Sequence, residues 1–174
     1  ANAFTAYEAA KTELEIQRDK NASDNRKAVL EIELKRLELD KYEDGEWGQM
    51  LRDADILINQ AAISRERRLE DYESAKKMRE RGFMTPTEFK EDEFNFQKAE
   101  WDLEKARKSR EVLEKYTHIS ELRQRQSDWE EAVKEADRVS KSAVAEETKK
   151  QRQTEGAEKE LSLIRDQLAK LRHQ

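Results

Sequence analysis

The stretch Arg81-Gly82-Phe83-Met84-Thr85-Pro86-Thr87-Glu88 sets a helix stop and a helix start within eight residues. Gly82 suits the left-handed position just past a helix end, where a Cβ would be strained. Thr85 is placed to cap the next helix. Pro86 falls at its first position, where a missing N–H costs nothing, and Glu88 at its third completes a capping box. Met84 and Phe89 then occupy the two positions of a hydrophobic staple. The stretch predicts a corner between two helices, and it lies near the middle of a 174-residue chain.

On either side of that corner the apolar residues recur at heptad spacing. Phe89, Phe96, Leu103 and Arg110 alternate with Asp92, Ala99, Ala106 and Leu113 after it. Leu51, Ala54, Ile58, Ala61 or Ala62, Leu69, Tyr72 and Ala75 form a looser seam before it. Two arms folded back on each other would bring together residues whose numbers total about 168, twice the position of the corner. The break Tyr42-Glu43-Asp44-Gly45-Glu46-Trp47-Gly48 would then lie level with Lys115-Tyr116-Thr117-His118-Ile119-Ser120. The polar segment Gln17–Lys27 would face the similarly polar Ser140–Gln153. At the base, Ala3, Phe4, Tyr7, Ala10 and Leu14 would meet Ala157, Leu161, Ile164, Leu168 and Leu171.

These readings predict an all-α protein, a long antiparallel two-stranded coiled-coil hairpin with a break part-way along each arm. The ascending arm is 3–80 with its break at 42–48, the tip is 81–87, and the descending arm is 88–172 with a weak point at 115–120. A three-helix spectrin-like bundle would need a second corner where Ser109–Leu113 reads as continuous helix.

Composition agrees. Charged residues make up 43% and hydrophobic ones 35%, against roughly 25% and 45–50% for a compact domain, so the sequence has long solvated helices and no deep core. The net charge of −5 is spread along the chain, leaving no basic field for nucleic acid. No apolar run approaches the roughly 20 residues that span a bilayer, so this chain itself is expected not to insert into a membrane. Cysteine is absent, which removes disulfide chemistry and leaves the compartment open. The chain starts at Ala1 and is read as processed or excised from something longer.

No catalytic, cofactor or metal site is expected. His118 and His173 have no second ligand at metal-binding spacing and read as solvated or helix-end histidines. Carboxylate runs such as Glu91-Asp92-Glu93 read as a charged helix surface. Trp101 and Trp129 are expected to pack into a seam or against a neighbouring helix, while Trp47 sits in the Gly-containing break. The basic run Lys76-Lys77-Met78-Arg79-Glu80-Arg81 is expected to be neutralised by Glu88, Glu91, Asp92 and Glu93 across the turn.

The sequence Arg81-Gly82-Phe83-Met84-Thr85-Pro86-Thr87-Glu88-Phe89 resembles the hairpin tip of hemolysin-D-like membrane fusion proteins, the periplasmic adaptors of secretion and efflux systems. Gln97-Lys98-Ala99-Glu100-Trp101-Asp102-Leu103-Glu104-Lys105-Ala106 is similar to the start of that family's descending arm. Leu39–Glu46 and Val112–Thr117 resemble the mid-hairpin breaks of its long members. The family's tips carry Arg, Leu and Ser where this chain has Ser74, Met78 and Thr85. The resemblance implies a non-catalytic module without cofactors that docks an outer-membrane channel at its tip. It also implies flanking lipoyl-like and β-barrel domains that this chain lacks, a link through them to an inner-membrane transporter, a homo-oligomeric full-length protein and a periplasmic location anchored to the inner membrane. Phe83 and Met84 are the candidate docking residues, helped by Met78, Arg79, Arg81 and Thr85. The competing expectation is a coiled-coil segment of a cytoplasmic scaffold or filament.

Overall fold

The structure, a computed structural model, describes residues 2–172. It is an all-α helical hairpin: helical stretches of 79 and 87 residues pack against each other, and there is no strand among the described residues. The elements in order are α1 (Asn2–Lys41), a π-helical turn π1 (Tyr42–Glu46), α2 (Trp47–Glu80), α3 (Pro86–Val112), a second π-helical turn π2 (Leu113–Thr117) and α4 (His118–Arg172). Two compact units can be separated, one of residues 38–126 and one of residues 1–37 with 127–174.

In the unit of residues 38–126 the two predicted seams meet. Ala75, Phe89, Ala99 and Leu103 are buried, and Leu51, Ala54, Ile58, Ala61, Ala62, Leu69, Tyr72, Phe96, Ala106 and Leu113 are half-buried, as expected of a two-helix core that water reaches from both sides. Tyr72 stacks on Phe96 with ring centroids 5.5 Å apart and tilts against Phe89 at 5.7 Å. The polar seam positions are matched across the arms. Arg65 donates to Glu100 at 3.2 Å while its guanidinium lies 5.4 Å from the Phe96 ring. Arg110 reaches Asp55 at 2.5 Å and Glu114 at 2.8 Å.

Neither expected break interrupts its helix. At π1 the N–H of Trp47 bonds the carbonyl of Tyr42, and at π2 the N–H of His118 bonds that of Leu113. These are five-residue spans, and a π turn is one residue inserted into an α-helix. Gly45 keeps a negative φ within π1, and the residues on either side, Lys41 and Trp47, have helical angles. The second irregularity falls at Leu113–Thr117, slightly before the expected 115–120.

In the other unit, Leu14, Ala132, Ala143 and Leu161 are buried, together with the polar Asn21. Asn21 Nδ2 donates to the Ala143 carbonyl across the arms and its Oδ1 accepts from Gln17 Nε2, both at 2.9 Å. Arg18 pairs with Glu147 at 2.8 Å and Lys150 with Glu13 at 2.7 Å. The Thr154 hydroxyl donates to the Ala10 carbonyl at 3.2 Å, and Arg36 lies over the half-buried Trp129 with its guanidinium carbon 5.2 Å from the ring centroid. The polar segments therefore do face each other, beside an open groove of about 530 Å³ bordered by Gln17, Asp24, Arg138 and Glu146.

Two expectations need correction. Facing residues such as Arg65 and Glu100, or Arg18 and Glu147, total 165, which centres the corner between Gly82 and Phe83. At the base, Phe4, Ile164, Leu168 and Leu171 are exposed.

Candidate docking site at the helical corner

The corner forms as its residues dictate. Gly82 has φ +77°, the left-handed value that Gly adopts without strain. The Gly82 N–H donates to the Arg79 carbonyl at 3.0 Å and the Phe83 N–H to that of Met78 at 2.9 Å, a Schellman closure of α2. At the other side, Thr85 Oγ1 accepts from the Glu88 N–H at 3.3 Å, while the Thr85 N–H and hydroxyl each donate to Glu88 Oε2 at 2.9 Å. Those donated hydrogen bonds, led by the one from the Thr85 backbone, hold the Glu88 carboxyl below its usual range. Both helix ends are thus satisfied by local contacts, and the turn needs nothing from outside to hold its shape.

This closure decides which side chains remain available. Phe89 is buried and Met84 half-buried, whereas Phe83 is 76% exposed and Met78, at the other apolar position of the Schellman motif, is also exposed. The Thr85 hydroxyl is committed to the capping box, so Thr85 shapes the turn more than it offers a contact. Arg79 lies over the buried Phe89 with its guanidinium carbon 4.5 Å from the ring, and Lys76 over Tyr72 at 5.4 Å. Arg81 is exposed. Among the described residues no ion pair joins Lys76, Lys77, Arg79 or Arg81 to Glu88, Glu91, Asp92 or Glu93. Lys76 and Arg79 make cation–π contacts with the aromatic seam instead of direct ion pairs with those carboxylates. The corner presents exposed Phe83 and Met78 among side chains of both charges, Arg81 and Glu80 included.

Two features escaped the sequence reading. His118 stands at the start of α4, as one of its two expected settings had it, but it is half-buried, stacked on Trp47 with ring centroids 3.9 Å apart and hydrogen-bonded to the fully buried Tyr42. Arg125 lies over the Tyr42 ring at 4.6 Å and bonds Glu121 and Glu46. The clue was present in the facing of Tyr42-to-Trp47 with the segment containing His118. Trp101, expected to pack, is 54% exposed, because its position falls on the side of α3 opposite the seam. His173 lies outside the described residues.

Among the described residues there is no cluster of three or more His, Cys, Asp or Glu side chains that could hold a metal ion, and no helix is long and apolar enough to cross a membrane. No protein-family model matches this chain, and neither a curated protein nor a solved structure does.

Proposed function

We propose that this chain is the rigid helical hairpin of a periplasmic adaptor of the hemolysin-D-like kind, a non-catalytic spacer whose tip docks an outer-membrane channel. The observation that carries the reading is Phe83, 76% exposed on a turn whose own hydrogen bonds are complete. An aromatic side chain left in water at a self-sufficient corner does little for folding, and exposed aromatic anchors flanked by charge are characteristic of protein contacts. Met78 widens the apolar contact, and Arg81 supplies a cation beside it. The resemblance of the tip to that family's, and of the irregular turns at 42–46 and 113–117 to its mid-hairpin breaks, points the same way. In this reading the inner-membrane transporter is reached through domains flanking the hairpin, the assembled protein is a homo-oligomer, and the location is periplasmic.

A photo-crosslinking amino acid at Phe83 in the full-length protein, activated in cells of its source, tests the proposal. The expected adduct contains an outer-membrane channel protein. An adduct with a cytoplasmic filament or scaffold protein supports the structural coiled-coil reading instead.

A further inference from the structure

α3 carries a second stripe on the side away from its seam. At about 100° per residue, Lys90, Phe94, Lys98, Trp101, Lys105 and Val112 fall within about 45° of one line along the helix. That line lies opposite the buried Phe89, Ala99 and Leu103. Phe94, Trp101 and Val112 are all exposed. Trp101 and Val112, with Lys105 and Lys108, border a shallow hollow of about 580 Å³.

The charges of α3 are sorted as well. It holds eight carboxylates against six cations, yet none of the eight lies on the line. Glu91 and Asp102 run along one side of it and Glu93, Glu104 and Glu111 along the other, each about 60–100° away. On a helix surface a lysine three or four residues from a carboxylate is placed to pair with it. Lys108 does so with Glu111, whereas Lys90, Lys98 and Lys105 form no ion pair among the described residues. The back of α3 is a narrow cationic and aromatic stripe between two acidic margins.

The width of the stripe selects its occupant. A packed α-helix touches its neighbour along a stripe of roughly 100°, so it meets the lysines and the three apolar side chains with little of the margins. A flat anionic membrane would press on Glu91, Asp102 and Glu104 together with the lysines, and the like charges oppose it. A helix laid on the line gains most with carboxylates against Lys90, Lys98 and Lys105 and apolar side chains against Phe94, Trp101 and Val112. Cations at its own edges would meet the acidic margins. The hollow between Trp101 and Val112 has room for an aliphatic side chain, with carboxylates one turn away facing Lys105 and Lys108.

We propose that the back of α3 docks an acidic amphipathic helix of another protein, one with Asp or Glu among the apolar residues of its contact line and Lys or Arg at its edges. The partner's carboxylates pair with lysines that this chain leaves unpaired, and its apolar side chains cover Phe94 and Trp101, which the hairpin itself leaves in water. The contact uses neither Phe83 nor the turn, and its test is separate from that of channel docking.

The probe is a synthetic helical peptide of about 22 residues, the length of the stripe, with Leu and Glu along one line and Lys at both edges. Titrated into the whole chain at low salt, it is expected to bind with a Kd of about 10 μM and to weaken as salt is added. Trp101→Ala and Lys98→Glu should each weaken it about tenfold without changing the melting temperature. Lys98→Glu combined with Lys105→Glu should shift the preference to a peptide whose contact line carries Lys in place of Glu. The proposal is overturned by binding that Trp101→Ala leaves unchanged, by equal binding of the two peptides to the original chain, or by no binding near about 1 mM. It is also overturned if vesicles containing phosphatidylglycerol bind the chain more tightly than the acidic peptide does, or if the chain self-associates through Trp101 and so excludes the peptide.

Discussion

The hydroxyl of Tyr42 lies 3.1 Å from Nδ1 of His118, joining the two π-helical turns across the arms. Each turn inserts one residue, and an insertion in one arm alone would rotate its seam by roughly 100° against the other. Within the unit of residues 38–126, facing pairs total 165 on the tip side of the turns, as with Asp55 and Arg110, and also beside them, as with Trp47 and His118.

Tyr42→Phe should therefore cost about 1 kcal/mol at neutral pH, the usual net value of one hydrogen bond. Burial, with Glu121 and Glu46 adding and Arg125 opposing, raises the pKa of Tyr42 above the ordinary tyrosine range. A raised folded-state value favours the neutral hydroxyl, so its contribution is present below about pH 10 and fades as pH rises through the raised value. Chemical denaturation at increasing alkaline pH should show the original protein losing its advantage over Tyr42→Phe. A constant difference would contradict the role of that burial.

The capping box gives the opposite pH dependence. Because the Glu88 carboxyl is held low, its contribution is present above its ordinary value near 4.5 and is lost as pH falls through the lowered one. Glu88→Gln should thus be less stable than the original at pH 7 and equal to it in strong acid. Thr85→Ala should cost about 1 kcal/mol at neutral pH. Thermal melts across that range check both.

Trp101 and Leu103 stand two residues apart on α3 and should respond oppositely. Leu103 is buried, so Leu103→Ala is expected to cost about 2–3 kcal/mol. Trp101→Ala, on the exposed side, should stay within about 0.5 kcal/mol. Urea unfolding of the two variants distinguishes them, and a large loss from Trp101→Ala would mean that the indole packs within its own hairpin.

Hydrogen exchange should be faster in Gln17–Lys27 and Ser140–Gln153 than in Phe96–Leu113. The first two segments are joined by the Arg18–Glu147 ion pair and by the buried Asn21 against the buried Ala143, whereas the third contains the larger buried Leu103 with Ala99. Uniform protection would contradict this.

The corner was legible from sequence because it is governed by local rules: Gly82, Thr85, Pro86 and Glu88 each have one conformational task, and none needs a distant residue to perform it. The seams were legible because burial follows their period. Trp101 was misjudged because an aromatic residue at helical spacing reads the same on either side of a helix, and only the position of the partner helix decides which side is covered. The packing of His118 at the start of α4 was not legible because its environment comes from Tyr42 and Trp47, residues of the other arm. The break at Gly45 was seen, but a π turn keeps its backbone hydrogen bonds while a break does not, and residue preferences alone do not separate them.

Phe83→Asp tests the docking role most directly. The substitution falls on an exposed side chain, so the helical signal should persist and the melting temperature should move by no more than about 2 °C. In the full-length protein the same change should abolish both crosslinking to the outer-membrane channel and export. Unchanged export, or a large fall in melting temperature of the hairpin, would contradict the account, the first by removing Phe83 from docking and the second by returning it to the fold.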